Sequence, residues 1–485
     1  MNHPRVALEY HQLTVHDTNG AQGDDPRLVR GYRPLQWDRK PPQFKTYPGL
    51  EVTLLPEELS SAPAGELNVQ ALSRLLFLSA GVVRTRAVAG EEMYFRAAGS
   101  AGNLSPIEVY VLTGDLPGLG AGLYHYQPVE HGLVRLAGAP ARTPPALVLT
   151  GVPWRTAWKY RERGFRHLYW DAGTMLAHAL ALTEEAELAA RVELGFVDRA
   201  VAALVGADGV QEVPLAVVGL DGDSALPEAG PEEAPAGHLA ANPVEFPLIT
   251  EAQRAGELAS ADDVREWREA AGAFDTLFTD GASGAVGAGL QGSLEAVIRH
   301  RGSCRRFDGG RRAPSDLLHG AMAWAARPLR ADFVAEGATL LDHHLAVHAV
   351  EDVEPGAYRW RAGDLEQLRT GQVRDVARFL CLGQDLGGSG AYTAFHCARL
   401  ADVVGALGSR GYRAAQLEAG IVEGRLHLFA YDRGFGATGL TFFDHEVSAF
   451  FETEALPMLV TAVGAPAYES RPGGHPRQPV RMGPA

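Results

Sequence analysis

Arg163-Gly164-Phe165-Arg166, followed after four intervening residues by Asp171-Ala172-Gly173, returns further along the chain as Arg410-Gly411-Tyr412-Arg413 and Glu418-Ala419-Gly420. Other stretches return in the same order. Gly122-Leu123-Tyr124 is matched by Gly356-Ala357-Tyr358, and Phe196-Val197-Asp198 by Phe443-Asp444 with its flanks. Similarity at this distance marks the duplication of a whole domain, not a short solenoid repeat. Each copy mixes long helices with a few strands, so the fold class is α+β.

Length agrees with this. At 485 residues the chain exceeds one ordinary core, and two or three domains are expected. We divide it into an extended N-terminal arm (1–60), a first domain (61–222), a linker with a helical segment (223–290) and a second domain (291–485). The arm is polar and Pro-rich, with Trp37, Phe44 and Tyr47 available to pack onto something. The linker is clearest at Pro227–Pro235. A helical segment is predicted over Ser260–Ala273, and the Gly/Ala-rich stretch 281–289 reads as flexible.

Hydrophobic residues make up 46% and charged residues 21%, the values of a globular protein. A net charge of −15 argues against nonspecific nucleic-acid binding and against an anionic membrane surface. The N-terminus has no apolar h-region behind it, and no apolar run is long enough to span a bilayer, so a cytoplasmic location is expected. The three cysteines, Cys304, Cys381 and Cys397, have neither disulfide nor zinc spacing. Cys304 reads either as a small filler or as a thiol activated by neighbouring arginines.

Several stretches carry chemistry. In Arg301-Gly302-Ser303-Cys304-Arg305, extended backbone would turn Arg301, Ser303 and Arg305 the same way, offering two guanidinium forks and a hydroxyl to a phosphate monoester. The same residues also fit a solvated basic turn. Ser315 is the expected N-cap of the next helix. A helix over 68–82 precedes the small-residue run Gly99-Ser100-Ala101-Gly102-Asn103, which lets backbone approach a planar ligand closely. An ordinary glycine-rich loop fits it equally. Lys159-Tyr160 sits beside aromatic bulk. In a desolvated pocket Lys159 would act as base with Tyr160 as its partner acid, and on a solvated helix start neither would. These features are divided: the arginines lie in the second half only. The Ser100–Asn103 loop lies in the first only, its counterpart Gly337–Leu341 having lost it. The second half also has a flexible loop, Gly434–Asp444. Divided features imply one ligand shared between the halves.

The chain resembles the flavin-dependent nitroreductase-like proteins, and among them the SagB-type, thiazole/oxazole-forming peptide dehydrogenases. The matching stretches are Arg96–Asn103, Trp158–Arg163, Arg301–Arg305 and Gly436–Gly439. The resemblance covers most of the chain outside the arm and the linker. It implies tandem domains, each a central, mostly antiparallel sheet flanked by helices, pairing within the chain as a pseudo-dimer. It also implies one FMN between them. Arg301, Ser303 and Arg305 would hold phosphate and ribityl. The loop Ser100, Ala101, Gly102 and Asn103 would face the flavin ring, and Arg96, which opens the same stretch, would also bind the cofactor. Ala437, Thr438 and Gly439 would lie near its reactive edge, and Gln384 and Arg471 would add ring and phosphate contacts. Lys159-Tyr160 matches a pair used for proton abstraction by azoline oxidases. Two departures stand out: Gly99 replaces a common Pro, and no Lys-Tyr pair occurs at Ser409-Arg410.

Three functions arise as expectations. The first is an FMN-dependent dehydrogenase that aromatises azolines in a peptide, working beside other peptide-modifying proteins. The second is a nitro- or quinone-reducing flavoenzyme using NAD(P)H. The third is a tandem domain that binds flavin or peptide without turnover.

Overall fold

Ile107–Thr113 reads Ile-Glu-Val-Tyr-Val-Leu-Thr, a largely β-branched and aromatic run buried along its whole length, and it forms a central strand. The computed structural model around it describes residues 4–18, 25–61, 63–88, 90–222, 224, 226, 234–274, 289–361 and 363–483. The first sheet runs, edge to edge, Val52–Leu54, Gly132–Ala137, Gly122–Gln127, Ile107–Thr113, Ala146–Gly151, Val213–Gly219 and Arg191–Glu193. The second runs Asp364–Thr370, Gly356–Arg361, Asp342–Val347, Tyr392–Ala398, Leu456–Gly464 and Gly436–Leu440. Without the short strand Val52–Leu54 the two orders match strand for strand, and every pairing in both is antiparallel. The duplication read from sequence is therefore structural. A third sheet pairs Val480–Arg481, in parallel, with Val82–Val88, tying the last strand of the chain to the first half.

The halves meet along two long helices that carry the repeated motif, Gly164–Glu185 and Leu400–Asp432, the second kinked at Gly408. They cross where the motif places glycines. A Cβ on Gly173 would lie 2.4 Å from the Leu417 carbonyl oxygen, and one on Gly420 would lie 2.5 Å from that of Trp170. No side chain fits there, so the backbones touch. The repeated arginines reach across. Arg163 and Arg166 pair with Asp444 at 3.0 and 2.6 Å, while Arg410 and Arg413 pair with Asp198 at 2.6 and 3.0 Å. Both aspartates open short helices, Asp198–Leu204 and Asp444–Phe451, where a carboxylate also suits the helix dipole. All six charges are buried and paired, as burial demands.

Several expectations need correction. The arm is not extended throughout: Pro4–Leu13 is a helix. Ala7, Tyr10 and His11 make a buried stripe, and the Tyr10 hydroxyl donates to the Glu162 carbonyl at 2.7 Å. Trp37, Phe44 and Tyr47 do pack, on Trp158, Tyr94 and His125. A helix Pro247–Ala255 precedes the expected one, which runs Ala261–Ala273 with Ser260 as its cap. Pro227–Glu233 and most of 281–289 lie outside the described residues. Ser315 is the first residue of its helix; the capping position is Pro314. The loop expected at Gly434–Asp444 contains the edge strand Gly436–Leu440, held against Leu456–Gly464 by a full antiparallel register. Its glycines hid an edge strand whose outer side carries an isolated parallel bridge from Ser303 to Ala437.

Candidate functional site

A cavity of about 360 Å³ opens between the central helices and draws its walls from both halves. The first half supplies Gly99–Gly102, Lys159, Tyr160, His167, Trp170, Asp171 and Thr174. The second supplies Ser303, Arg305, Gln384, Glu423, His427, Thr438–Thr441 and Leu459. The volume lies within the range of small-molecule and cofactor sites.

Lys159 and Tyr160 end the short helix Pro153–Tyr160; they are not at a solvated start. The chain breaks at once, with Arg161 at φ 51°, before the central helix begins. Both side chains are half-buried. Burial lowers the Lys159 pKa and Arg305 lowers it further. Among the described residues no carboxylate pairs with its ammonium, which lies 5.1 Å from the Tyr160 ring. Burial, then Asp171, raises the Tyr160 pKa and keeps the phenol protonated. Its ring stacks on His167 at 3.9 Å.

The Gly99–Asn103 run crosses this pair. Gly102 has φ 62°, a left-handed conformation that favours glycine, and a Cβ there would sit 3.0 Å from the Tyr160 hydroxyl and 3.1 Å from Lys159 Nζ. The loop is fastened to Asp171: Ser100 Oγ donates to one carboxylate oxygen at 2.6 Å and the Ala101 amide to the other at 2.9 Å. Burial pushes the Asp171 carboxyl up to about 7, with the Ser100 hydrogen bond opposing. The counterpart loop in the second half has not lost its anchor. Thr339 Oγ1 and the Leu340 amide donate to Glu418 at 2.5 and 3.0 Å.

The structure divides the basic stretch. Ser303 and Arg305 line the cavity, whereas Arg301 is buried behind it, so the three do not share one extended face. Arg301 Nε donates to the Ala97 carbonyl at 2.9 Å, while Nη1 is buried without a partner among the described residues, 3.1 Å from where a Cβ on Gly99 would lie. Cys304 is a filler: it is buried, and burial pushes its thiol up, not down. Thr438, Gly439 and Gln384 line the cavity, with Gln384 donating to Thr441.

Four expected contacts fall elsewhere. Ala437 is buried in the edge strand, where its carbonyl accepts from Cys304. Asn103 turns to the Tyr94 carbonyl at 2.9 Å. Arg96 is buried under Phe44 and donates to the Ile107 carbonyl at 2.7 Å. Arg471 is exposed and offers its carbonyl to Arg84.

Sequence reading missed His167, Trp170, Asp171 and Thr174 on one central helix, and Glu423 and His427 on the other. Their signal was a polar stripe at helical spacing within otherwise apolar helices. Glu423 packs against Gly439, where any Cβ would collide with its carboxylate. Burial lowers the His427 pKa, and its Nε2 lies 3.6 Å from the Glu423 carboxylate, just beyond hydrogen-bond distance. Among the described residues no cluster of His, Cys, Asp and Glu could hold a metal ion, and no helix is long and apolar enough to cross a membrane.

No protein-family model matches the chain. A curated protein of Methanocaldococcus jannaschii, named "Putative nitroreductase MJ1384", is 30% identical over an alignment of 131 residues that covers 24% of this chain. The chain spans 61% of that relative's length. The crystal structure of "a putative nitroreductase" from Anabaena variabilis superposes with a TM-score of 0.76 at 26% identity, covering 95% of this chain and 99% of the other. An E. coli microcin synthetase complex also aligns, but its TM-score of 0.28 gives it no weight. In the order of its strands and along nearly its whole length, the chain has a nitroreductase-like fold.

Proposed function

We propose that this chain is an FMN-dependent oxidoreductase holding one flavin between its halves, and that it dehydrogenates thiazoline or oxazoline rings in a modified peptide. One observation carries the reading: a half-buried lysine with lowered pKa and, among the described residues, no carboxylate partner stands beside a protonated tyrosine, in a cavity walled by both halves. The donor set fits FMN. Arg305, Ser303 and the unpartnered Nη1 of Arg301 would hold the phosphate, and the Ser100–Gly102 and Thr438–Gly439 backbones leave room for a planar ring. Bound there, the flavin would supply the redox step by accepting hydride from the substrate ring.

The remaining chemistry belongs to the protein. Burial and the Arg305 charge favour the neutral amine of Lys159, which takes the ring C–H proton. Tyr160 stays protonated and donates a hydrogen bond. The peptide would be presented by partner proteins that form its azolines. Replacing Lys159 with methionine should lower azoline oxidation by about 10²–10⁴-fold, the usual contribution of a positioned base. Flavin content of the purified chain should stay near one FMN per chain, read by absorbance after release.

A second reading is reduction of nitro or quinone compounds with NAD(P)H; the relatives' names carry only the nitroreductase part of it. Lys159→Met separates the two, because simple reduction should survive it. A chain that stays flavin-free after soaking in FMN would sink both.

A further inference from the structure

We propose that Asp171 is a positioning residue: it latches the Ser100–Gly102 loop over Lys159 and Tyr160 and so fixes that pair in the cavity. The inference rests on the reading of Lys159 as the base. Asp171 itself lines the cavity from the central helix. Its two oxygens receive the Ser100 hydroxyl at 2.6 Å and the Ala101 amide at 2.9 Å. Ser100 Oγ in turn accepts from the Ser105 amide at 2.9 Å, which closes the loop on itself. The next residue, Gly102, is the one where an added Cβ would lie 3.1 Å from the Lys159 ammonium and 3.0 Å from the Tyr160 hydroxyl, so only a glycine leaves room for both. Beyond it, Asn103 is tied to Tyr94 and Gln43, away from the cavity. Gly102 is thus slung between two anchors, and Asp171 is the one on the cavity wall. The upward push that burial gives the Asp171 carboxyl agrees with a group sealed under this loop.

The fold supplies its own control. Glu418 holds Thr339 and Leu340 in the same way on the opposite side of the crossing. There the residues that correspond to Lys159 and Tyr160 are Ala406 and Leu407, which carry no such chemistry. A latch that serves only the scaffold should therefore matter equally on both sides.

The test compares D171N, S100A, E418Q and T339V in the full-length chain as purified. Lys159 is acylated with acetic anhydride, and its labelling rate is read by peptide mass spectrometry, a measurement independent of turnover. D171N should raise the Lys159 rate about tenfold, the shift expected for one lost hydrogen bond to a charged group. D171E, which keeps both acceptor oxygens, should recover part of it. E418Q should leave the Lys159 rate unchanged. Equal rates in D171N and wild type, or the same change in D171N and E418Q, would overturn the proposal. If D171N does not fold, S100A against T339V makes the same comparison. If Lys159→Met leaves azoline oxidation intact, the reading of the reaction falls, while the labelling still reports whether Asp171 holds the loop.

Discussion

The two sides of the central helix crossing began as copies and now differ in kind. With Arg163 set against Arg410 and Gly173 against Gly420, Lys159-Tyr160-Arg161 falls on Ala406-Leu407-Gly408. His167, Trp170 and Thr174 fall on Ala414, Leu417 and Ile421, and Glu423 and His427 fall on Leu176 and Leu180. Every counterpart but the helix-breaking glycine is an apolar residue, and Ala414, Leu417, Ile421 and Leu176 have no solvent exposure at all. The scaffold, by contrast, is kept on both sides. The crossed arginine–aspartate pairs, the touching glycines and the carboxylate latch each occur twice, and the chain breaks at matched positions, Arg161 and Gly408, with φ 51° and 63°. Pairing within one chain removes the need for two identical sites. One side keeps polar chemistry while the other fills with side chains and joins the core.

The most damaging way to probe this comparison is to break the shared frame. Asp444→Asn and Asp198→Asn each strand two buried guanidinium groups, and each should cost about 3–5 kcal/mol in urea unfolding. Similar losses would show that the frame is used equally; a much smaller loss at one aspartate would show that its side has drifted. Burial pushes the Asp444 carboxyl up, but Arg163 and Arg166 outweigh it and hold the pKa well below the usual carboxylate range. Its contribution is therefore complete above the ordinary aspartate pKa of about 4 and is lost as pH falls from there. Next in size are Gly173→Ala and Gly420→Ala. Each places a methyl against the partner helix's backbone, and each should cost about 1–3 kcal/mol by forcing the helices apart. Both should also loosen the cavity, since each helix carries part of its wall.

Much of this was legible in the sequence. The repeated Arg-x-x-Arg motif marks the helix crossing, and the largely apolar runs Ile107–Thr113 and Ala146–Gly151 form strands. Lys159, Tyr160, Ser303, Arg305 and the Ser100–Gly102 loop converge because the duplication brings both halves to one seam. Less legible were contacts made by backbone or buried behind the wall. Ala437, Asn103 and Arg96 sit near the cavity in sequence, but their side chains satisfy local backbone or lie in the core. Asp171 and Glu418 were in view as part of the repeat, but their role depends on hydrogen bonds to residues about seventy or more positions away in each half. Spacing alone does not reveal such partners. The helix Pro4–Leu13 was hidden by the Pro-rich character of the stretch after it.

The last comparison separates the latch from the frame by sign, not by size. Asp171 and Asp444 are both buried aspartates, yet they should respond to pH with opposite sign. Burial raises the Asp171 carboxyl from 3.8 to about 7, so in the folded chain it resists ionisation that the unfolded chain accepts freely. Its contribution to stability is fully present below about pH 4 and declines as pH rises toward 7. The slope is at most about 1.4 kcal/mol per pH unit for one proton. The side-chain amide of D171N cannot ionise, so the stability difference between wild type and this variant should fall with rising pH across the window and level off above it. Urea unfolding of both chains at several pH values between 4 and 8 measures that difference. A flat difference would mean that the carboxyl ionises normally under the loop. Water would then reach Asp171, and the seal that distinguishes the working side of the crossing from its filled twin would not exist.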